Sequence, residues 1–340
     1  MLNPDARLFT LGRKLFAPKL GSSPPSPPCV EGRVEPRLPT LPGNFDGLAT
    51  PESVNWRVNG EISLLLGWGR AILLQIAHPK VAAGVGDHSQ FRASTGARIT
   101  RFQQTVSTML ELNFGTVEEA WLAARRIDGI HGRVVGTLAD DVGNYAGGTA
   151  YFARDPELLR WVYATLVDSF IRTYELFVGP LTRVEKDQYC RESVVIGPML
   201  GIPDGFLPSC HADLLAYMRE LIGSGQICVG PTARDLASHI LAPPIPIVGV
   251  PLMALAKLPI VGLLPEPIRS GYGLPWDPRR EMTLVVAASV VRSLQKRLPP
   301  TIHRWPAAER RVAELLVGGH AVTTATFESD SSSIDRRRCS

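Results

Sequence analysis

Histidine and arginine are the residue types in this sequence whose spacing could support chemistry, and His131 is the most informative of them. Apolar residues precede it at intervals of four, three and four positions, at Ile127, Ala124 and Ala120. This spacing places the imidazole on the buried stripe of an amphipathic helix. A buried imidazole needs a partner, which is either a hydrogen-bonding group of the core or a metal. In the second interpretation His131 is an axial ligand of a planar metal cofactor.

Two glycines, Gly129 and Gly132, flank this histidine. Glycine in a helix costs about 1 kcal/mol relative to alanine, so a compensating reason is expected at both positions. One such reason is that glycine lets a flat group approach the helix closely.

Two arginines lie one helical turn apart on the preceding helix. Arg98 and Arg101 line one face, whereas Ile99, Phe102 and Val106 are expected to point inward. Such a pair either forms a solvated face that bonds a carboxylate, or holds the propionates of a cofactor and stabilises a bound oxygen species. The sequence leaves both interpretations open.

His78 has a specific setting because Pro79 follows it and ends or kinks a strongly apolar helix. A histidine at a helix end commonly bonds the last free carbonyls of that helix. His78 could instead join His88 and Asp87 in a metal site, although a spacing of about ten residues with an intervening loop carries little specificity.

The elements that must position these residues are predicted to be helical almost throughout. Thr116 and Thr182 are each followed three residues later by a glutamate, which is the pattern of a capping box. Asp155 precedes Pro156, a cap followed by a proline at the first helical position. Alternation with a period of two is hard to find. We therefore predict an all-α protein, a multi-helix bundle.

Composition excludes several classes of protein. The 340 residues carry 36 basic and 32 acidic side chains, for a net charge of +4, which is too even to indicate a nucleic-acid surface. The five cysteines are scattered and never spaced as CxxC, and no secretory signal is evident, so we expect a cytoplasmic protein. No P-loop, dinucleotide fingerprint, GxSxG or HExxH motif occurs. Composition does not indicate an oligomeric state.

The chain is predicted to have three parts. Residues 1–52 form an amphipathic arm and a Pro-rich linker, residues 53–318 a helical domain, and residues 319–340 a flexible tail. The arm, Met1 to Lys19, either packs on the body or contacts a membrane peripherally as an interfacial anchor. An apolar stretch from Ile240 to Ala256 contains four prolines, which argues against a simple spanning helix.

Several short motifs follow one another between Asn55 and Pro306. They are Leu73-Leu74-Gln75-Ile76-Ala77-His78-Pro79, His88-Ser89-Gln90-Phe91, Phe114-Gly115, Ile130-His131, Asp155-Pro156-Glu157-Leu158-Leu159-Arg160-Trp161-Val162, Leu200-Gly201-Ile202-Pro203 and Gly262-Leu263-Leu264-Pro265. As an ordered set, they resemble the catalytic-domain family of MpaB and the rubber oxygenases, or latex-clearing proteins.

The resemblance implies a mostly helical fold with a globin-like core, a haem b cofactor and dioxygen-dependent cleavage of carbon-carbon double bonds in isoprenoid chains. His131 matches the proximal haem histidine of the rubber oxygenases, and Arg98 matches the arginine that lines the distal side. Arg101 falls where those enzymes place a lysine near the iron. Phe102 falls where they and many relatives have threonine, so this chain lacks that hydroxyl.

Together these observations predict a haem-dependent oxygenase in which His131 binds the iron and Arg98 and Arg101 serve catalysis. Arg98 and His78 are further candidates for cofactor binding. The expected substrates are dioxygen and an apolar small molecule. Without a secretory signal, an intracellular lipid or prenyl chain fits better than polymer rubber. The alternative is a non-catalytic haem-binding or lipid-binding protein that associates peripherally with a membrane.

Overall fold

The computed structural model of the protein describes residues 32–41, 45–88, 95–241 and 257–317. The predicted arm, the predicted tail and nearly all of the apolar stretch from Ile240 to Ala256 lie outside these ranges. Within them the chain forms packed helices with one small β-hairpin, which confirms the predicted all-α bundle. The globin-like haem core stays a prediction.

The bounds of the elements are as follows. The helices are α1 (Val54–Asn59), α2 (Leu65–Ile76), α3 (Pro79–His88), α4 (Thr95–Phe114), α5 (Val117–His131), α6 (Pro156–Phe177), α7 (Arg183–Ser193), α8 (His211–Gly223), α9 (Pro231–Ile240), α10 (Glu266–Gly271), α11 (Pro278–Gln295), α12 (Pro300–His303) and α13 (Pro306–Val317). Strands β1 (Val135–Thr137) and β2 (Ala150–Phe152) separate α5 from α6, and residues 257–262 are also helical. Across the described ranges, no helix combines the length and apolar character needed to cross a bilayer.

Local sequence signals set the ends of the helices. At the start of α5 the Thr116 hydroxyl accepts the Glu119 amide hydrogen, and the Glu119 carboxylate accepts the Thr116 amide hydrogen. Thr182 and Glu185 make the same reciprocal pair at the start of α7. The Asp155 side chain caps α6. All three predicted helix starts are therefore confirmed.

The centre of the fold is the contact between α2 and α6, which both contribute to the largest apolar cluster. Gly67 lets the two helices approach closely. A Cβ atom at this position would lie 2.4 Å from the Thr173 hydroxyl oxygen and 3.2 Å from the Ser169 carbonyl oxygen. The buried indole of Trp161 donates a hydrogen bond to the Leu74 carbonyl at 3.1 Å. A larger residue in place of Gly67 would push the helices apart.

A charged network is buried in this contact. Arg70 of α2 is 1% exposed, and its guanidinium donates to the Asp168 carboxylate at 2.6 Å, the Ser169 hydroxyl at 2.6 Å and the Leu263 carbonyl at 2.7 Å. Arg172 donates to the same carboxylate at 2.9 Å. Burial alone would raise the pKa of Asp168, but the charges and hydrogen bonds of the two arginines outweigh it and lower that pKa. The carboxylate therefore stays ionised in the core.

The last described helices, α12 and α13, pack against the N-terminal part of the helical domain. The Trp305 amide donates to the Gly60 carbonyl at 2.9 Å, and the His303 Nδ1 atom lies 3.0 Å from a Glu61 carboxylate oxygen. Ala308 of α13 is fully buried in a small apolar cluster with residues of α1 and α4. The two ends of the described body thus pack on each other.

The β-hairpin between α5 and α6 was not predicted. Its strands pair antiparallel, with Gly136 opposite Tyr151. Tyr151 is buried, and its hydroxyl donates to the Asp87 carboxylate of α3 at 2.7 Å, which docks the hairpin on that helix. Three residues in each strand are too few for a period of two to be visible in the sequence.

Asp168→Asn should strongly destabilise the protein. The variant leaves Arg70 buried without its counter-charge, and breaking a buried ion pair costs about 3–5 kcal/mol. We expect a loss of that size in the free energy of unfolding, measured by urea denaturation at neutral pH. The pKa of Asp168 is lowered in the folded state. The difference in free energy of unfolding between wild type and variant should therefore be largest above the unfolded-state pKa, about 4, and decrease as the pH falls below it.

Asp204→Asn is the matched control. Asp204 pairs with Arg37 on the surface, and its side chain is 69% exposed. Removing an exposed ion pair should cost less than about 1 kcal/mol. Equal losses in the two variants would show that burial of the Arg70 pair is not what makes it important.

Candidate functional site

His131 is the last residue of α5, directly before the helix cap at Gly132. Its side chain is partly buried. Removal from water lowers the pKa of His131 to about 4. The Asp128 charge opposes this shift and the Arg154 charge adds to it. The imidazole is therefore neutral at physiological pH, which is the form that binds metals. No described residue forms a hydrogen bond with the ring, so the core partner that was one predicted alternative is not found there.

Two arginines from distant parts of the chain hold the final turn of α5. The buried Asp128 carboxylate accepts hydrogen bonds from Arg154 at 2.6 Å and from Arg33 at 3.0 Å. Arg154 follows β2, and Arg33 lies in the segment predicted to be a Pro-rich linker. The described part of the linker around Arg33 therefore packs against the helix that carries His131. Sequence reasoning missed this cluster, and the only signal available was an acidic residue three positions before the histidine.

The two glycines beside His131 have different surroundings. A Cβ atom on Gly132 would lie 2.7 Å from the central carbon of the Arg154 guanidinium. The close approach that was predicted for a flat group is thus made at Gly132 by an arginine. At Gly129, nothing lies within 4 Å of the place that a Cβ would take, so the space beside this residue is open.

Gly129→Ala and Gly132→Ala form a matched pair on one helix. Gly129→Ala should stabilise the protein by about 0.5–1 kcal/mol, because alanine loses less backbone entropy and meets no neighbour. Gly132→Ala should instead cost about 1 kcal/mol, because the Arg154 guanidinium must move away from Asp128. Thermal unfolding of both variants tests this. The two glycines would be equivalent if both variants shifted the melting temperature in the same direction.

In the helical hairpin of α4 and α5, Arg98, Arg101 and His131 all lie at the end away from the turn. The two helices share an apolar cluster, and only Gly115 and Thr116 separate them. Since α4 runs towards this turn and α5 away from it, the start of α4 lies at the same end as His131. Arg101 and His131 each lie about 15 residues from the turn, or roughly 20 Å along their helices. Arg98 lies one turn nearer the start of α4.

The described side chains of α4 differ in part from the prediction. Arg98 is in the first turn of α4, and its side chain lies outside the described part of the structure. Arg101 is partly buried, and burial lowers the pKa of its guanidinium, which still stays charged. The inward position expected for Phe102 is wrong, because its side chain is 45% exposed. Its ring meets the Trp68 indole edge-on, with centroids 6.4 Å apart, so only one side is covered.

A small apolar cleft lies beside Trp68. Its walls are Asn59, Leu64, Trp68, Met109, Leu110, Asn113, Phe114, Phe170 and Trp305, and the space inside them is about 20 Å³. A space of this size holds about one water molecule, so the cleft is far smaller than a ligand pocket. The amides of Asn59 and Asn113 bond to each other at 2.6 Å. The remaining walls are apolar.

His78 sits at the junction of α2 and α3. Its ring is buried, its Nδ1 atom accepts the Lys80 amide hydrogen at 3.2 Å, and its Nε2 atom lies 3.3 Å from the Tyr145 hydroxyl oxygen. Burial, with a smaller effect of the Lys80 charge, lowers the pKa of His78 to about 4. Both ring nitrogens already have partners in the protein. This favours a structural role at the helix junction, and cofactor binding by His78 stays a prediction.

The metal site considered for His78, His88 and Asp87 does not form. The His88 Nε2 atom lies 3.1 Å from the Val135 carbonyl oxygen, and Asp87 accepts the Tyr151 hydroxyl. In the described part of the chain, no three histidine, cysteine or acidic side chains are grouped so as to hold a metal ion. A haem differs from such a site because a single histidine can hold its iron.

Comparison with known families matches residues 56–293, well over half of the chain, to the family described as ER-bound oxygenase mpaB/B'/Rubber oxygenase, catalytic domain. The match includes α4 and α5, which carry Arg98, Arg101 and His131. It confirms the family predicted from the ordered motifs. No curated protein and no solved structure matches the chain.

Proposed function

The chain belongs to the mpaB and rubber oxygenase family, and we propose that it is a haem-dependent oxygenase acting on an apolar substrate. The observation that carries this proposal is the state of His131. Its imidazole is partly buried, neutral, and free of hydrogen bonds to described residues. A neutral histidine of this kind is the axial ligand in many haem proteins. This chemistry of the side chain supports His131 as the haem ligand in the proposal.

In this proposal His131 would hold the haem iron through its neutral imidazole. Asp128 would act through the helix, because Arg33 and Arg154 fix the turn from which the imidazole projects. This support orients a ligand in the way that outer contacts orient metal-binding histidines in other proteins. When bound, the haem supplies the redox-active iron needed for reaction with dioxygen.

Arg98 and Arg101 would supply fixed positive charge at the same end of the hairpin. Guanidinium groups pair well with carboxylates, so these residues can bind the propionates of the cofactor. They can also stabilise negative charge that develops during the reaction with dioxygen. The partial burial of Arg101 strengthens either interaction, because water competes less for its hydrogen bonds.

The substrate in this proposal is an apolar chain, an isoprenoid or a lipid. The resemblance to the rubber oxygenases supports this class, and the half-exposed ring of Phe102 against Trp68 adds apolar surface on α4. The second candidate function is non-catalytic binding of haem or lipid. The observation that favours it is also Phe102, because the rubber oxygenases that the chain resembles carry a threonine hydroxyl at this position.

His131→Gly should abolish the Soret band of protein purified from haem-replete cells, while far-UV circular dichroism stays unchanged. Added imidazole should restore the band, because it can replace the missing ligand without repairing any other contact. His239→Gly is the control. His239 also lies in the last turn of a helix, α9, and its variant should keep the haem. A colourless wild-type protein, or a Soret band that survives in His131→Gly, would exclude His131 as the haem ligand.

Arg101→Gln should lower the rate of dioxygen uptake with a short polyprenol at least about tenfold, because a charge contact to the reacting groups is lost. The Soret band should remain, which separates catalysis from cofactor loading. Arg125→Gln, on the exposed side of α5, should leave the rate unchanged. Haem-loaded wild-type protein that consumes no dioxygen with polyprenol or lipid substrates would support the binding protein instead.

A further inference from the structure

The outward face of α11 carries five large apolar side chains that are exposed to solvent, interspersed with Thr283, Ser289 and Ser293. Met282, Val285, Val286, Val290 and Leu294 are each between 48% and 63% exposed. The opposite side of the same helix buries Leu284 and Ala288 next to α6. A helix that is apolar on both sides is normally covered on both sides, and exposed apolar patches of this kind mark binding surfaces.

Basic side chains stand at both ends of this face. Arg279 precedes the apolar residues, and Lys296 and Arg297 follow them, all exposed. Arg279 lies two turns before Val286 on the same side of the helix, whereas Lys296 and Arg297 follow directly after the last helical residue, Gln295. Arg292 does not belong to this exposed basic set, because its guanidinium donates two hydrogen bonds to carbonyls at the end of α6.

We propose that the outward face of α11 binds the surface of an anionic lipid bilayer. The helix would lie in the plane of the membrane, with its apolar side chains in the boundary between headgroups and acyl chains. Arg279, Lys296 and Arg297 would pair with lipid phosphates and carboxylates. Each basic residue near an anionic surface adds to the attraction.

The charges favour lipid over a second copy of the chain. Two copies of α11 packed antiparallel on this face would bring Arg279 of one copy towards Arg297 of the other, and parallel packing would align each arginine with itself. Like charges brought together in an interface oppose association. An anionic bilayer complements the same charges. This surface is distinct from the predicted N-terminal arm, and its role does not depend on a bound haem.

Vesicle flotation of the full chain tests the proposal. Wild-type protein should float with vesicles of an equal mixture of phosphatidylcholine and phosphatidylserine, and more weakly with phosphatidylcholine alone. The double variant Val286→Glu/Val290→Glu should bind the mixed vesicles at least about tenfold more weakly, because two carboxylates face the anionic surface. Val184→Glu is the control, since Val184 of α7 is 72% exposed outside this face and its variant should bind like wild type.

All of these substitutions are at exposed positions, so circular dichroism and melting temperature should match wild type. Wild-type protein that does not float with mixed vesicles would overturn the proposal, and so would equal flotation of wild type and the double variant. Light scattering in the absence of lipid tests whether a second copy of the chain binds this face instead. A wild-type dimer that the double variant dissociates, together with no flotation, would assign the face to a second copy of the chain.

Discussion

The buried charge pair of Arg70 and Asp168 is the interaction on which the rest of the structure depends. A guanidinium that is almost fully removed from water is tolerable only because a carboxylate, a hydroxyl and a carbonyl satisfy it. The carboxylate and hydroxyl come from α6, and the carbonyl belongs to Leu263. The pair therefore aligns α2 with α6 and also fixes the chain that follows the Pro-rich apolar stretch. Helix α11, with its exposed apolar face, is attached to the same α6 through Arg292.

The candidate site also contains a buried ion pair, but this one stabilises the end of a single helix. Asp128 is also a buried carboxylate with two arginines, but its partners come from the N-terminal segment and from the chain after β2. The cluster joins three parts of the chain within one turn of His131. An imidazole at the end of a helix would otherwise be subject to fraying of the last turn. Ion pairing thus provides the order that a ligand residue needs, without giving the ring itself a hydrogen bond.

Sequence spacing predicted what is local to one helix. The capping boxes at Thr116 and Thr182 and the shielding of His131 depend on residues within a few turns, and a single sequence contains that information. Contacts between elements were not predictable: Arg33 and Asp128 are 95 positions apart, and Arg70 and Asp168 are 98 apart. Phe102 was assigned to the wrong environment because periodicity identifies the face of a helix but not where the neighbouring helix ends. The position of Arg98 and Arg101 relative to a haem depends on contacts between elements that are distant in sequence. That these arginines face a haem therefore stays a prediction.

The contact of Arg33 with Asp128 affects which fragment of the chain should be produced for experiments on the family domain. The family match begins at residue 56, whereas the arginine that supports the last turn of α5 lies more than twenty positions earlier. At the other end the match stops at residue 293, before the tryptophan whose amide bonds to Gly60. A fragment that contains only residues 56–293 would therefore lack Arg33 and Trp305, which both bond to residues inside the matched segment. The packed domain thus extends beyond the segment that matches the family at both ends.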